Sequence, residues 1–192
     1  SIMENELIKF MSRFTKLSNE EAQTMIDFYP VKIYKKGEVL LQEGQIAEDS
    51  FLVLSGCIRK YCVVDGEEKT IDFYTEEQVA VEFESMSQQS PSKYYLVCLE
   101  DSKIAKINSR KEEEYYKKFP RFEELSRAQM EVMMGENLQA LSNFITLTPE
   151  QRYLDLLQNR PELLQRVPQH LIASYLGIKP ESLSRIRKRI FK

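Results

Sequence analysis

The stretch QHLIASYLGIKPESLSRIRKRIF, Gln169–Phe191, leaves the chain fewer choices than any other segment. With Gln169 as the first position of a helix pair, Ala173 falls fifth, where two crossing helices leave room only for a small side chain. Gly177 falls ninth, where the turn needs a positive φ that glycine adopts without penalty. Ile172, Leu176, Ile178, Leu183 and Ile186 occupy the places that form the small core between the helices. Pro180 stands where the second helix begins, and proline is well tolerated in a first helical turn. The pattern reads as a DNA-reading helix-turn-helix. A helical hairpin that only packs is the alternative.

Charge supports the first reading. The net charge is −3, yet residues 148–192 hold nine Lys/Arg against Glu150, Asp155, Glu162 and Glu181, which leaves −8 for the remainder. An acidic body with a basic end suits a protein that approaches DNA by that end. A solvated basic tail is the plainer reading, but it leaves unexplained why the cations follow the helix pair. No apolar run approaches the roughly 18 residues of a spanning helix, and no secretory signal pattern opens the chain. Ser1 reads as a cloning remnant, or Met3 as the native start. Cys57, Cys62 and Cys98 lie in strand-like runs without CxxC spacing, and His170 is the one histidine. Reduced thiols in the cytoplasm, with no metal and no cofactor, are expected.

Upstream, Glu4 to Phe14 reads as a short helix, and Ser18 with Glu21 as a capping box that opens a second helix ending before Pro30. From Val31 the period becomes two. Strands are expected at Val31–Tyr34, Val39–Leu41, Ser50–Leu54, Cys57–Val64, Lys69–Tyr74, Val79–Phe83, Tyr94–Leu99 and Ser102–Ile107, with Asp65-Gly66 as a hairpin turn. Short strands at this spacing predict a double-sheet jelly roll rather than a parallel sheet. Lys111–Lys118 is a charged helix broken at Pro120.

Arg121 to Ile145 is then one long helix. Met130, Met134, Leu138, Leu141 and Ile145 form one apolar stripe, and Phe122, Leu125, Val132, Met133, Ala140 and Phe144 a second. A helix apolar on two sides needs two partners. The chain's own β-domain is expected to cover one stripe and the same helix of a second subunit the other, as a coiled coil; a single buried helix in a monomer is the alternative. Thr148-Pro149-Glu150 opens the next helix, with Tyr153, Leu154, Leu156 and Leu157 on its core face. The expected division is residues 1–120 as a β-roll, 121–147 as a connecting and dimerisation helix, and 148–192 as the helix-turn-helix domain.

This order of parts resembles the cyclic-AMP receptor protein (Crp/Fnr) superfamily of bacterial transcription regulators over nearly the whole chain. The residues that carry the likeness are Lys36-Gly37-Glu38-Val39-Leu40, Glu43-Gly44, Leu52-Val53-Leu54-Ser55-Gly56, Asp65-Gly66, and Gly177-Ile178 with Glu181-Ser182-Leu183-Ser184-Arg185. The resemblance implies an α+β chain in which a double-stranded β-helix domain of the cyclic-nucleotide-binding type, a long dimerisation helix and a winged-helix-like domain follow one another. Because the chain stops at Lys192, the wing is expected to be short or absent. In cyclic-nucleotide-binding members, a Gly-Glu-Leu segment and a later Arg-Ser-Ala or Arg-Thr-Ala hold the ribose and the phosphate. Here Val81-Glu82-Phe83 and Ser92-Lys93-Tyr94 stand at those places. Glu82 survives, the phosphate arginine has become Ser92, and Lys93 offers a point charge instead of a planar fork. A degenerate pocket is expected, probed through Glu82, Ser92 and Lys93, with an unknown effector or none. Iron–sulfur and haem sensing are disfavoured, since only three cysteines are present, none before Cys57, and the β-domain has no histidine.

On the last helix, Leu183, Ile186 and Ile190 are expected to face inward. Glu181 and Arg185 would read base edges, Arg185 forking onto guanine; an i,i+4 bridge to Glu181 is the plainer reading of the pair, and both can hold, since the bridge would preorganise Arg185. Lys188, Arg189 and Arg187 would meet phosphates, joined by Ser182, Ser184, Lys179, and Gln169 and His170 at the start of the first helix. Pro180 takes a place where family members commonly carry a base-contacting arginine, so site preference should differ. The expected partners are double-stranded DNA at two half-sites, a second copy of the chain, and RNA polymerase. A ligand sensor whose DNA domain is secondary is the alternative function. No catalytic residue is expected: a cupin-like enzyme would need a metal cluster that the β-domain lacks, and a kinase or channel module leaves the helix pair unexplained.

Overall fold

The computed structural model describes residues 2–192; Ser1 lies outside it. The chain divides into two compact units, one running through Cys62 and from Ile71 to Glu124, the other comprising Val63–Thr70 and Leu125–Lys192.

Eight strands form two four-stranded sheets, all within the first unit except the end of β4 and the start of β5: β1 (Val31–Tyr34), β2 (Val39–Leu41), β3 (Asp49–Ser55), β4 (Ile58–Val64), β5 (Glu67–Tyr74), β6 (Val79–Ala80), β7 (Tyr95–Cys98) and β8 (Ser102–Asn108). One sheet has the order β1-β8-β3-β6 and the other β2-β7-β4-β5. The recorded β1–β8, β2–β7, β3–β6, β3–β8 and β4–β7 pairings are antiparallel, as the expected jelly roll requires. The β4–β5 turn places Asp65 at φ 52° and Gly66 at φ 79°, the pair of left-handed residues that a two-residue hairpin turn demands.

Successive residues of a strand face opposite sides, and β3 uses both. Phe51 and Val53 join Leu41, Ile58, Ala80, Leu96, Cys98 and Ile104 in the core of the roll. Leu52, with Ala105, packs instead among Leu7, Ile8, Ala22, Met25, Tyr29, Tyr115 and Phe122. Those last residues belong to α1 (Glu6–Met11), α2 (Asn19–Phe28) with its C-cap Tyr29, α4 (Ser109–Lys118) and the first turn of α5 (Arg121–Thr146). The capping box of α2 forms as expected, Ser18 Oγ accepting from the Glu21 N–H while Glu21 accepts from the Ser18 N–H. Arg121 forks onto the same carboxylate from Nε at 2.8 Å and Nη2 at 2.9 Å, and holds Glu21 down to about pKa 2.

Two local expectations are corrected. The first helix is shorter than Glu4–Phe14, because the Asn5 side chain accepts from the Leu7 and Ile8 N–H groups and so starts α1 at Glu6, after a 3-10 turn at Ile2–Glu4. The strand expected over Val79–Phe83 ends at Ala80. Glu82 turns its carboxylate onto the Ser85 N–H at 2.8 Å and caps α3 (Phe83–Gln88), which Gln89 closes in the left-handed region.

The second unit contains α5 beyond Glu124, α6 (Pro149–Asn159), α7 (Pro161–Arg166), α8 (Gln169–Leu176) and α9 (Pro180–Ile190). Thr148 and Gln151 cap α6 reciprocally, with Pro149 in the first turn. Tyr153, Leu156, Leu163, Val167, Ile172, Ala173, Leu176, Leu183 and Ile186 are all buried. Leu154, expected on the core face of α6, is exposed: it follows Tyr153 by one residue, about 100° around the helix. On the second apolar stripe of α5, Phe122 is buried, while Leu125, Val132 and Phe144 are exposed.

Candidate nucleic-acid interface and effector pocket

Between α8 and α9 the backbone turns at Gly177, φ 72°, whose N–H donates to the Ala173 and Ser174 carbonyls. The Ile178 N–H returns to Ala173 O at 3.0 Å, which closes the helix end. Ala173 has no exposed surface, in keeping with a tight helix crossing. Burying Leu183 and Ile186 turns the opposite face of α9 outward, and Glu181, Ser184, Arg185, Lys188 and Arg189 are exposed on it. Ser182 is half-buried, while Lys179, Gln169 and His170 lie exposed at the first turns of the two helices.

The bridge considered between Glu181 and Arg185 does not form. Arg185 Nη2 donates to Ser182 Oγ at 3.1 Å, three residues back on the same face. Arg189 Nη2 reaches across to Glu150 Oε2 at 2.9 Å, at the start of α6. These cations line a cleft of about 460 Å³ with Thr148, Pro149, Ile178 and Ile186. A basic, open cleft beside a helix face is chemically suited to a polyanion, and a polyanion would compete with Glu150 for Arg189.

Along α5, Met130, Met134, Leu138, Leu141 and Ile145 are exposed, Ile145 to 72%. Five large apolar side chains at helical spacing on one open helix form a contiguous uncovered stripe.

The expected effector residues each have partners within the chain. Lys60 pairs with Leu96 across β4 and β7, so it shares the inward face with Ile58 and Cys98. Its ammonium stands 3.9 Å from the Glu82 carboxylate and 4.5 Å from the centre of the Tyr94 ring. Burial pushes the Lys60 pKa down, and the charges of Glu82 and Asp72 pull it back up. Glu82 thus has two internal partners, Lys60 and the Ser85 N–H. Ser92 Oγ is buried and spent locally, donating to Tyr94 O at 2.9 Å and accepting from the Tyr94 N–H at 3.0 Å. Lys93 points to solvent and meets Glu84 at 3.7 Å. Lys60 went unrecognised in the sequence, although its even offset from Ile58 places it on the inward face of β4.

Cys57, Cys62 and Cys98 are free thiols. Among the described residues no group of His, Cys, Asp and Glu is arranged to hold a metal ion, and no helix is long and apolar enough to cross a membrane.

Residues 31–119 match the family model of the cyclic nucleotide-binding domain. Solved structures with a similar fold include CLP of Xanthomonas campestris, described as a c-di-GMP-responsive global regulator, at 16% identity and TM-score 0.69, covering 90% of this chain and 91% of that one. A CooA mutant from Carboxydothermus hydrogenoformans is similar at 17% identity and TM-score 0.66, with 93% and 81% covered. A protein of Eubacterium rectale assigned to the Crp/Fnr family of transcriptional regulators aligns at 16% identity and TM-score 0.67, with 90% and 83% covered. No curated protein sequence matches. Residues 31–119 are thus similar to the cyclic nucleotide-binding domain, and the chain shares its fold with these solved structures.

Proposed function

We propose that the chain is a dimeric, sequence-specific DNA-binding transcription regulator of the Crp/Fnr type, whose β-roll does not depend on cyclic AMP. The observation that carries this reading is the α8–Gly177–α9 pair, which buries Leu183 and Ile186 and leaves Glu181, Arg185, Lys188 and Arg189 on one open face. That face is a helix-turn-helix recognition surface, with Ser182, Ser184, Lys179, Gln169 and His170 as further polar and phosphate contacts. The open stripe of α5 supports a coiled-coil dimer that presents two such faces to two half-sites. The working division is a β-roll to residue 120, a dimerisation helix over 121–147 and a DNA domain from 148. Cytoplasmic location and contact with RNA polymerase follow from this role.

In the β-roll, the cation beside Glu82 is the protein's own Lys60, and Ser92 offers no fork for a cyclic phosphate. A cyclic nucleotide would have to displace that pair and bring Lys93 in from solvent. The experiment is selection of bound duplexes from a random library by the purified full chain, followed by mobility shift, with calorimetry against cyclic AMP and cyclic GMP. Recovery of a palindromic consensus without added nucleotide, and no heat with either nucleotide, is expected. Micromolar heat would overturn the filled pocket, and an absence of any consensus would favour the second reading, a small-ligand sensor whose DNA domain is secondary. The match of residues 31–119 to a ligand-binding domain keeps that second reading in play.

A further inference from the structure

Arg152 sits in the first turn of α6, and its guanidinium gathers three backbone carbonyls from two other helix ends. Nη1 donates to Leu147 O at 2.9 Å and to Phe144 O at 3.2 Å, where α5 finishes. Nη2 donates to Leu176 O at 2.8 Å, where α8 finishes. The last carbonyls of a helix have no partner within it and carry the negative end of its dipole, so a cation there is favoured twice over. A guanidinium presents its donors in a rigid plane from separate nitrogens, which suits carbonyls that lie apart. The guanidinium also lies over the Phe144 ring, 4.4 Å from its centre. Its Nε is buried and finds no partner among the described residues, so the three carbonyls and the ring dictate where the side chain sits.

Phe144 is the second half of the same device. A Cβ placed on Gly177 would stand 3.1 Å from Phe144 Cζ, so the turn between α8 and α9 rests on the ring that Arg152 covers. The end of the long helix, the start of α6 and the turn of the helix pair therefore meet around one side chain.

We propose that Arg152 is a positioning residue: it fixes the α8–α9 turn to the end of α5, and so sets the separation and angle at which a dimer presents its two α9 helices to DNA. Its Nη donors already serve backbone carbonyls, so it reads no base itself. The proposal rests on the dimeric DNA-binding reading above. It gives the chain a geometric source of specificity, acting on half-site spacing rather than on base identity.

The test compares full-length wild type, Arg152→Gln and Arg152→Lys on three duplexes: the selected palindrome, a single half-site, and palindromes with one base pair added or removed between half-sites. Wild type should hold the palindrome on the order of 10²–10⁴ more tightly than the half-site, and lose that advantage when the spacing changes. Arg152→Gln should bind the half-site to within about twofold of wild type, while its palindrome advantage falls at least about tenfold and its spacing preference flattens. Arg152→Lys should lie between, because an ammonium keeps the charge but donates from a single nitrogen rather than from a planar spread. Equal losses on half-site and palindrome would mark a DNA contact or a general loss of fold. An undiminished palindrome advantage would remove the clamp. If wild type binds no duplex, the regulator reading fails by itself, and the clamp is judged from spin labels at Ser142 and Lys188 in labelled chains diluted with unlabelled ones. A distance distribution as narrow in Arg152→Gln as in wild type then refutes it, and a broadened one sustains it.

Discussion

Lys60 carries an ammonium into the β-roll and finds there Glu82, whose carboxylate already accepts the Ser85 N–H. Removing one member of such a pair strands the other, so Lys60→Met should destabilise the chain by about 1–3 kcal/mol. Urea unfolding would measure the loss, and the double variant with Glu82→Gln should recover most of it; simple addition of the two effects would show that the groups are not coupled. On α9 the two kinds of cation should separate. Arg185, held only by Ser182, is free to turn to a guanine edge, and Arg185→Ala should cost roughly 1–3 kcal/mol on the selected site while leaving nonspecific binding nearly unchanged. Lys188→Ala should weaken all duplexes alike and lower the salt dependence by about one unit of slope. Titration of specific and random duplexes at several salt concentrations tells the two apart.

At the scale of elements, the molecule's helices begin and end where side chains meet backbone. Ser18 and Glu21 start α2, Glu82 starts α3, Thr148 and Gln151 start α6, and Gly177 closes α8. Glu21 also ties α2 to the start of α5 through Arg121, which lowers its carboxyl from near 4.5 to about 2. A carboxyl depressed in the folded state lends stability above its unfolded pKa, and that contribution fades as pH drops from about 4.5 towards 2. Thermal melts between pH 6 and pH 2.5 should therefore show an acid-sensitive component that Arg121→Gln removes. An unchanged pH profile in that variant would contradict the assignment. These local devices were largely readable beforehand, since a capping box occupies four consecutive residues. The Val79–Phe83 strand was misread because Glu82 satisfies strand alternation and helix capping equally well until its partner, the Ser85 N–H, is known.

For the whole molecule, the decisive surface is α5. Its 26 residues extend about 39 Å at 1.5 Å per residue, and beyond Phe122 its large side chains are half-buried at best. Placing charges at Met134→Lys and Leu138→Lys together should raise the dimer dissociation constant by more than about a hundredfold, since each removes a buried apolar side chain from the proposed interface. Sedimentation should then show monomers, and binding should fall to that of a single half-site. Dimers that survive both substitutions would place the interface elsewhere.

What the order of residues determined without help was governed by neighbours along the chain: the period of two that makes the strands of the roll, the glycine that turns α8 into α9, the caps at Ser18 and Thr148, and the apolar stripes of α5. These follow from backbone geometry and side-chain spacing within a few residues. Only the tertiary structure decided which partners meet across long stretches of chain. Glu21 and Arg121 are 100 residues apart, and Lys60 on β4 reaches Glu82 at the start of α3. Arg152 reaches Leu176 from 24 residues away, and the turn at Gly177 comes to rest against Phe144. No periodicity announces such meetings, because charge pairs and capped carbonyls depend on where elements end in space. The functional residues that the sequence concealed, Lys60 and Arg152, are of this second kind.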